Sequence, residues 1–258
     1  MSSYASQPIS QQRESGSQRS GEQRPIASST VSQNNEPERR QSSRSTETAS
    51  SRHHRSDRRR PVIFVIYYSM YGHIERMAKE VCDGVESTGC ECRLFQIAET
   101  LPAEVLAKMH AKEKNSQIPI IKAEQLPEAD GIIFGIPTRF GSTPTQVRAL
   151  FDQCGGHWMS DALFGKPVGV FFSTGSIGGG QETTALTCVT FFAHLGMIFV
   201  PLGYKNKRLQ SNDEVHGGSA YGAGTLAGDG SRQPSELELD LAKSQGHQFA
   251  KVVKKLAR

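Results

Sequence analysis

Residues Val62-Ile-Phe-Val-Ile-Tyr-Tyr68 run directly into Ser69-Met-Tyr-Gly-His-Ile74, and this junction predicts the class of the fold. The apolar, β-branched run is typical of a strand that is buried on both faces inside a parallel sheet. Beyond it, apolar residues spaced by three and four indicate the inner face of a helix; they are Ile74, Met77, Ala78, Val81 and Val85. The junction therefore predicts a strand, a short loop that contains glycine, and a helix.

A loop of this kind can hold a phosphate group, because free backbone N–H groups and the positive end of the helix dipole point at an anion placed there. The loop has no lysine, and the Gly-x-x-x-x-Gly-Lys-Ser/Thr pattern of nucleoside triphosphate sites is absent from the whole sequence. Hydroxyls and amides alone suit a monophosphate cofactor that stays bound, and flavin mononucleotide (FMN) is the leading candidate. The alternative is an ordinary α/β turn without a ligand.

Two further apolar strands end in loops of similar composition. Gly131-Ile-Ile-Phe-Gly-Ile136 is followed by Pro137-Thr-Arg-Phe-Gly-Ser142, and Pro167-Val-Gly-Val-Phe-Phe172 is followed by Ser173-Thr-Gly-Ser-Ile-Gly-Gly-Gly-Gln181. The glycines of the last loop lack the order and the distant acidic residue of a dinucleotide-binding fingerprint. Because ligands of open α/β sheets bind at the carboxyl ends of the strands, we expect the three loops to form one site.

Strands and helices alternate along the rest of the chain. Strands are predicted at 62–67, 91–96, 131–136, 168–173 and 197–202, and helices at 72–88, 102–113, 144–154, 181–194 and 235–257. This order predicts an α/β fold: a doubly wound, five-stranded parallel sheet with helices on both faces. The Gly-rich segment 205–233 has no periodicity and is expected to be functional or interfacial.

Capping signals place the ends of two of these helices. Thr143 is the expected N-cap of the helix at 144–154, with Pro144 in its first turn. Ser235 and Glu238 form a capping box at the start of the last helix. The predicted inner face of that last helix consists of Ala242, Gly246, Phe249, Val253 and Leu256.

Composition separates residues 1–60 from residues 61–258. The first segment holds sixteen Ser and eleven Arg against six acidic residues, a net charge of +5, and almost no large apolar side chain. Such a segment buries too little surface to offset its ordering entropy, so a disordered tail is expected. The remaining residues carry nineteen basic and twenty acidic side chains. The excess of positive charge therefore belongs to the tail, and nothing indicates a specific nucleic-acid partner for the folded domain at 61–258.

The sequence also predicts a cytoplasmic location. No apolar run approaches the length of a membrane span, and no secretory h-region follows the N-terminus. The five cysteines are irregularly spaced, at positions 82, 90, 92, 154 and 188. Structural thiols in a reducing compartment are favoured over disulfides or a metal site.

Four motifs resemble those of the WrbA-type NAD(P)H:quinone oxidoreductases, which have the flavodoxin-like fold. They are Tyr68-Ser-Met-Tyr-Gly-His-Ile-Glu75, Gly135-Ile-Pro-Thr-Arg-Phe-Gly141, Phe172-Ser-Thr-Gly175 with Gly178-Gly-Gly-Gln-Glu182, and Gly228-Asp-Gly-Ser-Arg-Gln-Pro234. The resemblance spans roughly residues 61–258. It implies non-covalently held FMN, NADH or NADPH as co-substrate, a homotetramer, and ping-pong two-electron reduction of quinones through flavin N5. Departures at Ser142, Ile177 and Leu195 bear on quinone preference more than on FMN binding.

With this resemblance, each strand-end loop is assigned a part of FMN. The first is expected to hold the phosphate through Ser69, Met70, Tyr71, Gly72, His73 and Ile74. The second is expected to lie along the ring, with amides at O4 and N5, through Pro137, Thr138, Arg139, Phe140, Gly141 and Ser142. The third is expected to enclose the ribityl chain and the N1–O2 edge through Ser173, Thr174, Gly175, Ser176, Gly178 and Gly179.

The resemblance also implies four catalytic residues. His194 is expected over the flavin, where it would also contact the cofactor, and Phe140 is expected to stack against the nicotinamide or the quinone. Tyr204 and, from a neighbouring subunit, Trp158 are expected to line the substrate cleft. The structural alternatives are a helix-packing role for His194, a packing role for Phe140 and an interface anchor at Trp158.

Two other functions remain open from the sequence. A one-electron carrier of the flavodoxin type should have an acidic face around the site, and the near-neutral domain argues against it. An FMN-bound scaffold would act through the tail, where Arg52-His-His-Arg-Ser-Asp-Arg-Arg-Arg60 is the densest positive charge. Such a cluster predicts peripheral contact with an anionic membrane surface, and a merely solvated tail is the alternative.

Overall fold

The computed structural model describes residues 59–257. The predictions for residues 1–58 lie outside the described residues, and the boundary of the folded domain at residue 61 stays a prediction. Within the described range, no helix combines the length and the apolar character that crossing a bilayer requires.

The described residues form parallel strands that alternate with helices. The strands are β1 Val62–Tyr67, β2 Glu91–Gln96, β3 Gly131–Pro137, β4 Pro167–Thr174, β5 Ile198–Phe199 and β6 Gly224–Leu226. The α-helices are α1 His73–Glu86, α2 Ala103–Lys108, α3 Thr145–Asp152, α4 Gly155–Met159, α5 Gln181–His194 and α6 Glu236–Leu256. Short 3₁₀ helices occupy Ala123–Glu128 and Lys207–Gln210.

The main sheet has the strand order β2-β1-β3-β4-β5 and is parallel throughout, which confirms the predicted flavodoxin-like fold. The strand order reverses between β1 and β3, so the loops after these two strands flank the crevice in which such sheets bind ligands.

The outer edge of β4 differs from the prediction. β5 pairs only with Pro167 and Val168, whereas β6 pairs with the last three residues of β4. The predicted strand at 197–202 is therefore too long, and two short strands share the fifth position of the sheet. Pro201 has no N–H to continue the ladder, and the chain leaves the sheet there and returns at Gly224.

Both faces of the sheet are covered by apolar side chains, which explains the uninterrupted apolar run in β1. Phe64 and Ile66 contribute to the layer beneath α3 and α5, and Ile63 and Val65 contribute to the layer beneath α1 and α6. In the first layer, Phe134 of β3 stacks on Phe192 of α5 with ring centroids 5.9 Å apart.

α1 and α6 approach each other through two glycines. A Cβ atom at Gly246 would overlap the carbonyl oxygen of Val81, and one at Gly84 would overlap the carbonyl oxygen of Lys243. The predicted inner face of α6 is right at Gly246 and Val253 but wrong at Leu256, which is 52% exposed. Leu256 is the final residue of α6, and the buried layer ends one turn earlier, at Val253.

Two predicted helix ends are also wrong. Pro144, not Thr143, is the N-cap of α3, and no side chain caps that helix. α2 ends at Lys108 and not at 113, since His110 has a positive φ of 52° that breaks the helix. The capping box of α6 is confirmed, with the Ser235 N–H donating to Glu238 at 2.9 Å.

Candidate functional site

A cleft lies at the carboxyl ends of β1, β3 and β4, and residues of the three strand-end loops line it together. The first loop contributes Ser69, Met70, Tyr71, His73 and Ile74; the second contributes Pro137, Thr138 and Arg139; the third contributes Ser173, Thr174 and Gly175. A fourth segment, Ala227–Gly230, completes the wall. Parallel strands bring these loops to one edge of the sheet, so residues that are up to about 160 positions apart become neighbours.

The first loop is shaped to receive an anion. The Gly72 N–H donates to Ser69 Oγ at 3.0 Å, and Gly72 is the N-cap of α1 with a φ of +92°, a conformation that favours glycine. The first bond of the helix runs from the Arg76 N–H to the Gly72 carbonyl. The amides of His73 and Ile74 therefore have no partner within the helix and are available to a ligand.

Side chains around this loop hold it in place. His73 lines the cleft but is only 4% exposed, and its ring is held by the protein, with Nε2 2.8 Å from the Arg232 carbonyl oxygen. The Lys112 N–H donates to the Met70 carbonyl at 2.8 Å. The loop is thus fixed from both sides.

The charge at the start of α1 is balanced. Glu75 accepts from Lys79 at 3.0 Å and from Lys112 at 3.2 Å. Partial burial opposes ionisation of Glu75, but these two ammonium groups outweigh it and hold the pKa of the carboxyl below its ordinary value. The carboxylate is therefore neutralised locally and does not oppose an anion at the helix N-terminus.

The second loop is a tight turn that presents Phe140 to solvent. Arg139 and Ser142 exchange two backbone hydrogen bonds, at 2.8 and 3.0 Å. Both central residues have positive φ, 53° at Phe140 and 75° at Gly141. This is the geometry of a type I′ turn, which places the whole Phe140 ring outside the protein, where it is fully exposed.

Most of the backbone amides predicted to contact the flavin ring form hydrogen bonds within the protein. The Thr138 N–H donates to the Ser173 carbonyl, the Arg139 N–H to the Ser142 carbonyl, and the Gly141 N–H to Thr138 Oγ1. These three amides therefore already have partners within the protein, because the turn closes on itself. Of the four, the Phe140 amide alone has no partner among residues 59–257.

The third loop is locked to the second and then turns away. A Cβ at Gly180 would lie 2.7 Å from Gly141 Cα, so the two loops touch backbone to backbone. Gln181 donates to Thr174 Oγ1 at 3.1 Å. Beyond Gly175, the predicted contacts at Ser176, Gly178 and Gly179 do not line the cleft. Four other residues predicted to contact the cofactor belong to the first two loops but do not line the cleft; they are Gly72, Phe140, Gly141 and Ser142.

Sequence reasoning missed the role of the fourth segment. The Ala227 N–H donates to the Thr174 carbonyl at 2.8 Å, and the Gly228 N–H donates to the Gly175 carbonyl at 2.9 Å. These bonds extend the pairing of β6 with β4 into the cleft. A three-residue strand gives no periodic signal, and the Gly228-Asp-Gly motif was the available clue.

Glu238 organises the fourth segment from beneath. Its side chain is fully buried, and it accepts hydrogen bonds from Gly217 N, Thr225 Oγ1, Leu226 N, Ser235 N and Arg232 Nη1. Burial opposes its ionisation, but the Arg232 guanidinium and the other donors outweigh burial and lower the pKa of Glu238. Because the backbone carbonyl of Arg232 also accepts a hydrogen bond from the His73 ring, this network joins the fourth segment to the first loop.

Three predicted catalytic residues lie away from the cleft of their own chain. His194 is the last residue of α5, about 20 Å along the helix from its cleft end. Trp158 is 61% exposed on α4, next to His157, whose ring contacts the Ala123 carbonyl before β3. Tyr204 is exposed beyond β5. Helices return antiparallel to the strands, so the ends of helices lie at the opposite edge of the sheet. His194 does not line the cleft of its own chain, and its role over the flavin stays a prediction.

Comparison with known proteins gives consistent matches over the described domain. The chain matches the family model described as NADPH-dependent FMN reductase over residues 63–207. It is 53% identical over 199 residues to minor allergen Alt a 7 of Alternaria alternata, covering 76% of this chain and 98% of that protein.

Two further comparisons concern catalysis and fold. The chain is 53% identical over 197 residues to quinone-oxidoreductase QR2 of Triphysaria versicolor, covering 75% of this chain and 96% of that protein. The crystal structure of a flavodoxin, WrbA-like protein from Agrobacterium tumefaciens aligns with a TM-score of 0.54 at 24% identity, over 76% of this chain and 98% of that one. The structural likeness shows a shared fold.

Proposed function

The chain belongs to the NADPH-dependent FMN reductase family, and from this premise we propose that it is an FMN-dependent NAD(P)H:quinone oxidoreductase. The observation that carries the proposal is the cleft of four strand-end segments with unpaired amides at the N-terminus of α1. A relative that is 53% identical is named a quinone-oxidoreductase, and this supports the choice of quinone as substrate.

The residues of the cleft fit a phosphate group. Ser69 Oγ accepts from Gly72, which leaves its hydroxyl proton for a phosphate oxygen, and the amides of His73 and Ile74 supply further donors. No carboxylate of the first loop competes, since Glu75 is paired with two lysines. A helix N-terminus without a lysine in its loop suits a monoester such as the phosphate of FMN better than a triphosphate.

The remaining walls fit the rest of FMN. A Cβ at Gly175 would lie 3.3 Å from the Gly228 carbonyl oxygen, so glycine keeps the third and fourth segments close where the ribityl chain would pass. Asp229 lines the same wall, and its carboxylate suits ribityl hydroxyls as hydrogen-bond donors. Of the second loop, the Phe140 amide would meet the N5–O4 edge of the ring.

Bound FMN would supply two-electron transfer at N5, taking electrons from NADH or NADPH and giving them to a quinone in a separate half-reaction. The protein's own residues orient the reactants. Arg139, whose guanidinium donates to its neighbouring Thr138 carbonyl at 2.8 Å, places a positive charge near the ring and favours its reduced, anionic form. The exposed ring of Phe140 offers a flat apolar surface on which a nicotinamide or a quinone can stack.

A second copy of the chain would complete the substrate cleft. Exposed apolar side chains lie on α4, on the turn after it and on β5; they are Trp158, Met159, Phe164 and Ile198. Exposed apolar residues gathered in this way are typical of protein interfaces. We therefore propose that the protein is a homotetramer, in which Trp158 and His194 reach the cleft of a neighbouring subunit. Sedimentation of a fully active monomer would contradict it.

Steady-state oxidation of NADH and NADPH with benzoquinone tests the proposed enzyme. The full-length protein with FMN should reduce the quinone stoichiometrically with NAD(P)H consumed, and a protein that begins at Pro61 should do the same. A flavodoxin-type carrier would bind FMN but oxidise NAD(P)H only through an added reductase. A scaffold that acts through the tail would bind FMN without turnover, and either result would overturn the proposal.

A further inference from the structure

Two cysteines outside the cleft face each other across α1 and β2. The Sγ atoms of Cys82 and Cys92 are 2.6 Å apart. This separation is shorter than ordinary contact between two sulphur atoms, and it exceeds the length of a disulfide bond by only about half an ångström. The two thiols therefore already point at each other.

The surroundings of this pair differ from those of the other cysteines. Cys82 and Cys92 are partly exposed, whereas Cys90, Cys154 and Cys188 are buried. Both members of the pair pack against the apolar layer beneath α1, because Cys92 pairs in register with Ile63 on that face of the sheet. A small oxidant can reach the pair, and joining it requires no rearrangement of α1 against β2.

We propose that Cys82 and Cys92 are a reversible oxidation site that closes to a disulfide when the reduced protein meets a hydroperoxide. The Cys82 thiolate attacks one peroxide oxygen, so an S–O bond forms, the O–O bond breaks, and water or an alcohol leaves with one proton. The Cys92 sulphur then attacks Cys82, so the S–S bond forms, the S–O bond breaks, and the hydroxyl leaves as water with the second thiol proton. Two thiols lose two electrons, and the peroxide gains them.

The environment of Cys92 sets the order of these steps. Contact with Cys82, together with burial, raises the pKa of Cys92, so Cys92 keeps its proton until it attacks in the second step. Asp83 and Glu86 lie nearby and disfavour negative charge at the pair, so the reaction is expected to be slow compared with that of dedicated peroxide-reducing thiols.

The closed disulfide would fasten the middle of α1 to β2. Both cysteines are already in contact, and Cys82 lies nine residues beyond the start of α1, so the cleft should keep its shape. A cross-link across about ten residues restricts the unfolded chain and should raise the midpoint of thermal unfolding by about 5 to 10 °C.

The test uses the full-length protein before and after treatment with hydrogen peroxide. We expect the intact mass to fall by two hydrogens, a non-reduced digest to link the peptides that contain Cys82 and Cys92, and dithiothreitol to reverse both changes and the shift in unfolding temperature. Cys82→Ser and Cys92→Ser should abolish the link and the shift, whereas the matched control Cys90→Ala should retain both.

Three results would overturn the proposal. One is labelling of Cys82 and Cys92 by a maleimide after oxidation to the same extent as before. Another is a cross-link that joins two different chains, or one that involves Cys90. The third is gain of oxygen mass at either thiol without a link. The mass measurements on the unmodified sequence keep the proposal falsifiable even if a serine variant folds poorly.

Discussion

Replacing Glu238 by glutamine tests whether this buried carboxylate holds the fourth wall of the cleft. In the structure it accepts from three backbone amides, one hydroxyl and Arg232. Glutamine keeps the shape and one acceptor oxygen, but its NH₂ group faces donors, and the Arg232 charge loses its partner. The variant separates the effect of the charge from that of side-chain volume.

Removing one partner of a buried ion pair typically costs about 3 to 5 kcal/mol. Arg232 is 31% exposed, and water can solvate part of the abandoned charge, so we expect a loss near the lower limit, roughly 3 kcal/mol. A domain with ordinary stability of about 5 to 15 kcal/mol remains folded after this loss. The affinity for FMN should fall as well, since Ala227–Gly230 would be held less firmly.

Urea denaturation followed by circular dichroism measures the loss directly. Glu236→Gln is the matched control, because Glu236 lies in the same turn of α6 but is exposed, and it should change stability by less than about 0.5 kcal/mol. Equal stability of Glu238→Gln and the natural sequence would refute the proposed role of the network.

The pH dependence supplies an independent check. The pKa of Glu238 is lower in the folded protein than its ordinary value of 4.5, so its stabilising effect is present above that value. The effect is lost as the pH falls through the lower, folded-state pKa. The stability difference between the natural protein and Glu238→Gln should therefore shrink on acidification; a difference that is constant or grows would contradict the assignment.

Three other predictions follow from the structure. Ser69→Ala should weaken FMN binding about 10- to 100-fold by removing a charge-assisted hydrogen bond, whereas Ser87→Ala, at the other end of α1, should leave fluorescence titrations with FMN unchanged. Gly246→Ala should lower the free energy of unfolding, measured by urea denaturation, by about 1 to 3 kcal/mol, because its Cβ would meet the Val81 carbonyl. The control Gly155→Ala, where no atom lies within 4 Å of an added Cβ, should leave stability unchanged. Equal effects of the two substitutions would contradict the packing of α1 on α6. A protein that begins at Pro61 should keep FMN and turnover but lose salt-sensitive sedimentation with anionic vesicles, and equal vesicle binding by both proteins would leave only a solvated tail.

The fold was predictable because local pattern and global topology agree. The apolar runs of β1, β3 and β4 and the amphipathic α1 each carry a strong periodic signal, and parallel strands joined by helices leave few topologies. The fifth strand position was not predictable in the same way. It is divided between Ile198–Phe199 and Gly224–Leu226, and such short strands exist only through their pairing with β4.

The candidate site, too, was predictable only where its features are local in sequence. The Ser69 loop was located by sequence because a helix N-terminus is a local feature, and its neighbours follow from the strand ends. The second loop and the Glu238 network depend on distant partners: Thr138 contacts Thr184, 46 positions away, and His73 contacts the Arg232 carbonyl, 159 positions away. No local pattern encodes these contacts. The directions of the helices place His194 and Trp158 away from the cleft of their own chain. Either residue can act at a cleft only if a second copy of the chain brings its cleft to them.

The most direct test of the phosphate-binding cleft compares FMN with riboflavin, which differs only in lacking the phosphate. Quenching of flavin fluorescence by the full-length protein gives both affinities under one set of conditions. If the N-terminus of α1 and Ser69 hold the phosphate, FMN should bind at least about 100-fold more tightly than riboflavin, since two or more charge-assisted hydrogen bonds are lost. Equal affinities for FMN and riboflavin, or no binding of FMN, would contradict the account.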